Sequence, residues 1–180
     1  MKVIPTCGLA LAVWLAGPAW GGPSPTPREA IETAYNRAAE AASLKFLHGM
    51  VGGRAPGFQG YGVDGKRVDS RAERAGLERL ILPALSVKET SRILSFQQID
   101  ANHVTCQVQD VLEITRVDRA KKTPMLLIVD TTSKDEWIRT AKGWKQISNR
   151  VARQSFDTRQ LVSAPDSSTP SATPSPPSKK

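Results

Sequence analysis

Apolar side chains recur at helical spacing through the first half of this chain and at every second position through most of the second half. The first regime begins at "TPREAIETAYNRAAEAASLKFLHGM", where Thr26, Pro27 and Glu29 supply an N-cap, a proline at the first helical position and a capping-box acid. Ile31, Tyr35 and Ala38 then fall on one stripe, which Ala34 and Ala42 extend, so the pattern predicts a first helix. The glycine-rich stretch "VGGRAPGFQGYGVDGKRVDS" ends it, and Asp64-Gly65 reads as a hairpin turn between two short extended pieces. Ser70 and Glu73 read as a second capping box opening a second helix, with Leu77, Leu80 and Ile81 on its buried face and Pro83 at its frayed end. The period then changes to two. "VKETSRILSFQQI", "HVTCQVQDVLEITRV", "PMLLIVDTTSKDEWIRT" and "WKQISNRVARQSF" are four strands joined by turn residues. Helices followed by long antiparallel strands predict an α+β domain.

The two ends differ from this middle. "MKVIPTCGLALAVWLAGPAWGG" has one lysine, a short apolar stretch and small residues at Ala19 and Gly21, so residues 1–21 read as a signal peptide, with cleavage after Ala19 the competing register. The apolar stretch is shorter than the roughly 18 residues a spanning helix needs, so the reading is export without a membrane span. "SAPDSSTPSATPSPPSKK" is mostly Pro, Ser and Thr, buries almost nothing, and makes residues 163–180 a disordered tail. Residues 26–158 are left as one domain. The chain carries a net charge of +8, spread through the domain apart from "RVDRAKK" at 116–122. Without a basic stripe interleaved with aromatics, the sequence points to no nucleic-acid partner.

Chemistry narrows next. Cys7 leaves with the leader, so Cys106 has no intramolecular partner and reads as a small buried hydrophobe in an alternating strand. His103 falls on the opposite strand face and His48 in another element, which leaves no Cys–His pair. Two histidines and one mature cysteine offer no zinc spacing, and no phosphate-binding loop is present, so no cofactor or metal is expected. Trp137 and Trp144 flank a tight turn and can meet across a two-stranded ribbon, as a core seam or as a ligand-stacking platform. Tyr35 is a candidate pocket donor. Among the strand acids, Asp110 continues the apolar face of Val104, Cys106 and Val108 and is the expected inward carboxylate. Glu113 lies on the other face, for an arginine on a neighbouring strand or for water, and Asp130 is placed to pair with an arginine such as Arg150.

Two N-terminal helices, a glycine-containing hairpin and long strands carrying "TTSKDEWIRTAKGWKQISNRV" resemble the nuclear transport factor 2-like superfamily, over about residues 27–156. Within it the likeness is to the bacterial branch of SnoaL-like cyclases and ketosteroid isomerases. The resemblance implies a cone-shaped roll: helices packed on a curved, mostly antiparallel sheet that encloses an apolar pocket, often with a homodimer on the sheet's outer face. The polar positions Gln97, Gln107, Gln109 and Gln146 argue against a large apolar dimer face. In isomerases of this shape the carboxylate base precedes the hairpin turn, at a position that is Gly62 here, beside Tyr61. Neighbouring members place an acid slightly earlier, at what is Gly57 here. Both acids are missing, and Asp64 reads as a turn residue. The expectation is therefore an exported domain that binds a small apolar or amphipathic ligand without catalysis. Its pocket candidates are Tyr35, Tyr61, Asp110, Asp130, Trp137 and Trp144. The alternatives are an isomerase or cyclase with acids at unusual positions, and a dimeric protein-interaction module of the cell envelope.

Overall fold

A computed structural model describes residues 24–161. The signal-peptide reading of residues 1–21 and the tail reading of residues 163–180 lie outside the described residues. Helix α1 spans Pro27–Ser43, and its capping box is formed, with the Thr26 N–H on Glu29 Oε2 at 2.7 Å and the Glu29 N–H on Thr26 Oγ1 at 3.3 Å. Lys45, at φ 56°, reverses the chain into the single turn α2, Leu47–Met50. A side chain at Gly49 would put its Cβ 2.6 Å from both Ala41 Cβ and Phe46 Cδ1, so this close approach of α2 to α1 requires glycine.

Strands β1 (Arg54–Tyr61) and β2 (Arg67–Val68) form a small antiparallel hairpin, in which Gly65 takes φ 73° and Asp64 Oδ1 accepts from the Lys66 N–H. Helix α3, Ser70–Ile81, starts one residue earlier than the sequence suggested. Its N-cap is Asp69, whose Oδ1 accepts from the N–H groups of Arg71 and Ala72, and Ser70 is the first helical residue. Adjacent Asp and Ser both satisfy the cap preference, and the carboxylate has the advantage at the positive end of the helix. Glu73, freed from any capping box, pairs with Arg54 instead.

The four remaining strands are β3 (Ser86–Gln98), β4 (His103–Val117), β5 (Pro124–Thr140) and β6 (Gly143–Gln160). The sheet order is β2-β1-β6-β5-β4-β3, antiparallel except where β1 runs parallel to β6. Register shifts at Ile93/Ser95, Thr132/Ser133 and Glu136/Trp137 place bulges in long strands, which bend them about the helices. The observed architecture is the α+β roll expected from the sequence.

The inner face of the sheet carries two apolar clusters. One gathers Ala42, Ile81, Ala84, Val87, Ile114, Leu127 and Val129. The other gathers Ile31, Val104, Cys106, Val108 and Trp137, with Tyr35 and Trp144 packed against it. Strand alternation runs straight from one cluster to the other, and polar residues occupy the positions between them. On β4 the inward sequence is Val104, Cys106, Val108, Asp110, Leu112, Ile114. On β3 it is Val87, Glu89, Ser91, Ile93.

Candidate functional site

Asp135 is the most buried acid among the described residues, 1% exposed, and both of its oxygens are fully used. Oδ1 accepts from Ser133 Oγ at 2.8 Å and Asn149 Nδ2 at 2.7 Å; Oδ2 accepts from Tyr35 Oη at 2.5 Å and Gln146 Nε2 at 2.6 Å. Burial pushes the carboxyl pKa above its ordinary value, and the four donors push the other way. Tyr35 in turn accepts the indole N–H of Trp137 at 3.3 Å, and the two rings meet edge to face with centroids 5.4 Å apart. Burial and the neighbouring Asp135 raise the Tyr35 hydroxyl, so it stays protonated as a donor. Burial also pushes the Cys106 thiol up to about 12, which keeps it unreactive.

Beside this network lies a cavity of about 120 Å³, walled by Tyr35 and Ala38 of α1, Met50, Gly53, Arg54, Glu89, Asp110, Asp135, Trp137, Gln146 and Asn149 among others. Two of its acids contrast with Asp135. Glu89 Oε2 and Asp110 Oδ1 are buried and have no hydrogen-bond partner among the described residues. Burial raises the Glu89 carboxyl to about 7, with the nearby Asp110 adding to the effect. Burial likewise raises Asp110 to about 6, with the Ser91 hydroxyl opposing the rise and Asp135 adding to it. The arginine that lines the cavity is already committed: the Arg54 guanidinium makes two hydrogen bonds to Glu73, at 2.7 and 2.8 Å, and stacks over the Phe58 ring at 4.2 Å.

The donor inventory decides what this cavity can stabilise. The Tyr35 proton, one amide N–H each of Gln146 and Asn149, and the Arg54 fork are directed at carboxylates within the protein. Acceptor capacity on Glu89 and Asp110 is in excess. The cavity therefore holds unpartnered carboxyl oxygens beside donors already directed at other acids, and Ser91 Oγ, on the residue paired with Asp110, is a buried hydroxyl that also has no partner among the described residues. Among the described residues no group of three or more His, Cys, Asp or Glu side chains is placed to hold a metal ion.

Of the six residues singled out from sequence, Tyr35, Asp110 and Trp137 line this cavity together. Trp144 lies diagonally across from Trp137, opposite Arg139, and packs at the cluster's edge, where it borders a separate groove with Phe46 and Leu44. Trp137 is 2% exposed and belongs to the core. Tyr61 is on the other side of the sheet, under the Arg150 guanidinium at 4.3 Å and hydrogen-bonded to Gln59, because β1 meets β6 at Tyr61–Arg150 with both side chains outward. Asp130 also faces outward, one residue out of step with Val129, where Gln109 Nε2 reaches it at 3.1 Å and Arg153 at 3.5 Å. Its arginine partner is Arg153, diagonal to it on β6, and not Arg150, which lies opposite Lys134, four residues further along β5. Glu113 pairs with Lys88 at 3.6 Å. Gln146 points into the cone instead of adding to the polar outer face. The positions of the missing bases, Gly57 and Gly62, are a backbone irregularity at φ 80° and a turn residue.

Glu89, Asp135, Gln146 and Asn149 are not apparent as site residues from sequence. A signal for Asp135 is present: in "DEW" it stands two residues before Trp137, so a buried Trp137 carries Asp135 to the same face. Glu89 likewise alternates with Val87.

No protein-family profile and no curated protein sequence matches the chain. Solved structures do. The Kfla4162 protein of Kribbella flavida superposes with a TM-score of 0.55 at 18% identity, covering 72% of this chain and 93% of that one. A nuclear transport factor 2-like protein of unknown function from Shewanella oneidensis matches with a TM-score of 0.54 at 10% identity, over 70% and 98%. Hexachlorocyclohexane dehydrochlorinase LinA-type3 of Novosphingobium barchaimii matches with a TM-score of 0.53 at 12% identity, over 76% and 91%. The chain has the nuclear transport factor 2-like fold. Proteins sharing that fold include enzymes and proteins of unknown function, and identities this low carry the fold alone.

Proposed function

We propose that this chain is an exported small-ligand-binding domain in which Glu89 and Asp110 receive a cationic or hydrogen-bond-donating group of the ligand. One observation carries the reading: two buried carboxyl oxygens without partners among the described residues, Glu89 Oε2 and Asp110 Oδ1, belong to side chains lining one cavity. Leaving such groups unsatisfied costs stability, and a ligand that supplies donors recovers it. Calorimetric titration with n-butylamine tests it. Glu89→Gln and Asp110→Asn should each weaken binding about tenfold or more, the worth of a charge-assisted hydrogen bond. Affinity should also fall as pH drops from about 7 to about 6, where Glu89 and Asp110 take up protons. Equal binding by parent and both variants would refute the reading. Export itself is tested by N-terminal sequencing of the protein from its host, which should start at Gly22 or Trp20.

Proton transfer is the second reading, favoured by two cavity acids poised near 6 and 7, where general acids and bases work best. Against it stands the engagement of the Tyr35 hydroxyl and the Arg54 guanidinium with carboxylates of the protein, which leaves neither for the developing charge. An unconjugated enone turned over well above buffer, with the rate lost in Asp110→Asn, would promote it over simple binding.

A further inference from the structure

The cavity at Glu89 and Asp110 is small. Its volume of about 120 Å³ falls below the roughly 300–1,000 Å³ of ordinary small-molecule sites. A second hollow, of about 430 Å³, falls inside that range. It lies between α2, β1 and α3, and its apolar wall includes Leu47, Val51, Phe58 and Leu77. The two hollows have one lining residue in common, Arg54.

Arg54 is an unusual partition. Glu73 holds both ends of its guanidinium, the Phe58 ring lies 4.2 Å below it, and the side chains of the pair are only 26% and 27% exposed. Its charge is therefore cancelled locally, and it neither repels a cation passing toward the acids nor competes for them. The hollow beyond it offers no second acid for a cationic group, because Glu73 is already engaged. Arg74 is paired with Glu78, and Arg67 stands exposed at the rim. An uncharged body fits there.

We infer that the ligand is amphipathic in a fixed direction: a cationic head seated on Glu89 and Asp110, and an apolar body that passes Arg54 into the hollow between α2 and α3. The inference rests on the binding reading above and adds to it the chemical class, an amine carrying an apolar chain. It makes Arg54 a positioning residue at the junction and Leu77 and Val51 the side chains that set chain length.

The test is a series of n-butyl-, n-hexyl- and n-octylamine titrated calorimetrically into the domain. Affinity should rise with length, by about fourfold for each fully buried methylene. Leu77→Gln and the space-filling Leu77→Trp, each checked for native circular dichroism, should compress the octyl-to-butyl ratio. A ratio near one in the parent, or a large ratio unchanged in both variants, overturns the two-part ligand. If butylamine binding depends on Glu89 and Asp110 while the ratio stays near one, the head site stands and this inference alone falls. If butylamine does not bind, or binds equally to Glu89→Gln and Asp110→Asn, the binding reading falls and takes the inference with it.

Discussion

Replacing Glu89 with Gln should stabilise the unliganded protein at alkaline pH and leave it unchanged in acid. The parent side chain sits between Val87 and Ser91 on the inner face, with one oxygen unpartnered and Asp110 nearby. Its carboxyl moves from an ordinary 4.5 to about 7 on folding. Between those values the folded chain holds the proton more tightly than the unfolded chain, so stability declines as pH climbs from about 4.5 to 7 and stays at the lower level above. A gap of that size, at about 1.4 kcal/mol per pKa unit, gives a ceiling of about 3 kcal/mol. Because solvent reaches part of the side chain, about 2 kcal/mol is the working figure. Glutamine keeps the shape and has nothing to ionise. At pH 8 the Glu89→Gln variant should melt about 5–10 °C above the parent, a spread set by domain size. Near pH 4.5 the two midpoints should converge. Thermal denaturation followed by circular dichroism across that pH range is sufficient. A difference of the same size at both ends, or a variant less stable than the parent at pH 8, would show that Glu89 is not a buried, uncompensated acid.

The same geometry sets three further outcomes. Asp135→Asn turns one acceptor into a donor facing two donors, so it should cost about 3 kcal/mol in urea denaturation, and a loss under about 1 kcal/mol would refute the four-donor arrangement. Trp137→Ala should cost about 3–5 kcal/mol, and Trp144→Ala clearly less, because only the first is fully enclosed. Asp69→Ala should cost about 1 kcal/mol by removing the cap of α3, while Ser70→Ala stays near neutral; the reverse order would restore Ser70 as the cap.

Much of the fold is legible in the sequence because its signals are local. The Thr26–Glu29 capping box lies within four residues, and β4 and β5 coincide with the two long apolar-rich runs that end at turn residues. Asp110 is legible as an inward acid because no bulge interrupts β4 between Val104 and Ile114. The features that do not show in sequence are set by register. In β6 an extra residue near Ile147 lets Gln146 and Asn149 both face Asp135, although they are three apart and should oppose each other in an unbroken strand. Asp130 meets Arg153 and not Arg150 because Arg150 falls opposite Lys134, a cross-strand register that composition alone does not announce. Tyr61 is misplaced by the sequence pattern for a related reason: β1 pairs parallel to β6 through an irregular register, which no local pattern announces.

Strand β6 continues to Gln160, but its pairing with β1 stops at Arg150. From Val151 onward it is held by β5 alone among the described residues, leaving a run of backbone donors and acceptors facing outward beside Phe156, 65% exposed. A bare edge of that length is a template on which any extended chain can add itself. Arg153, Asp157 and Arg159 stand along it, and a neutral strand that docked there would have to strip water from each. Neutralising these three charges should therefore make the protein associate at high concentration, read as rising light scattering, while its circular dichroism stays native.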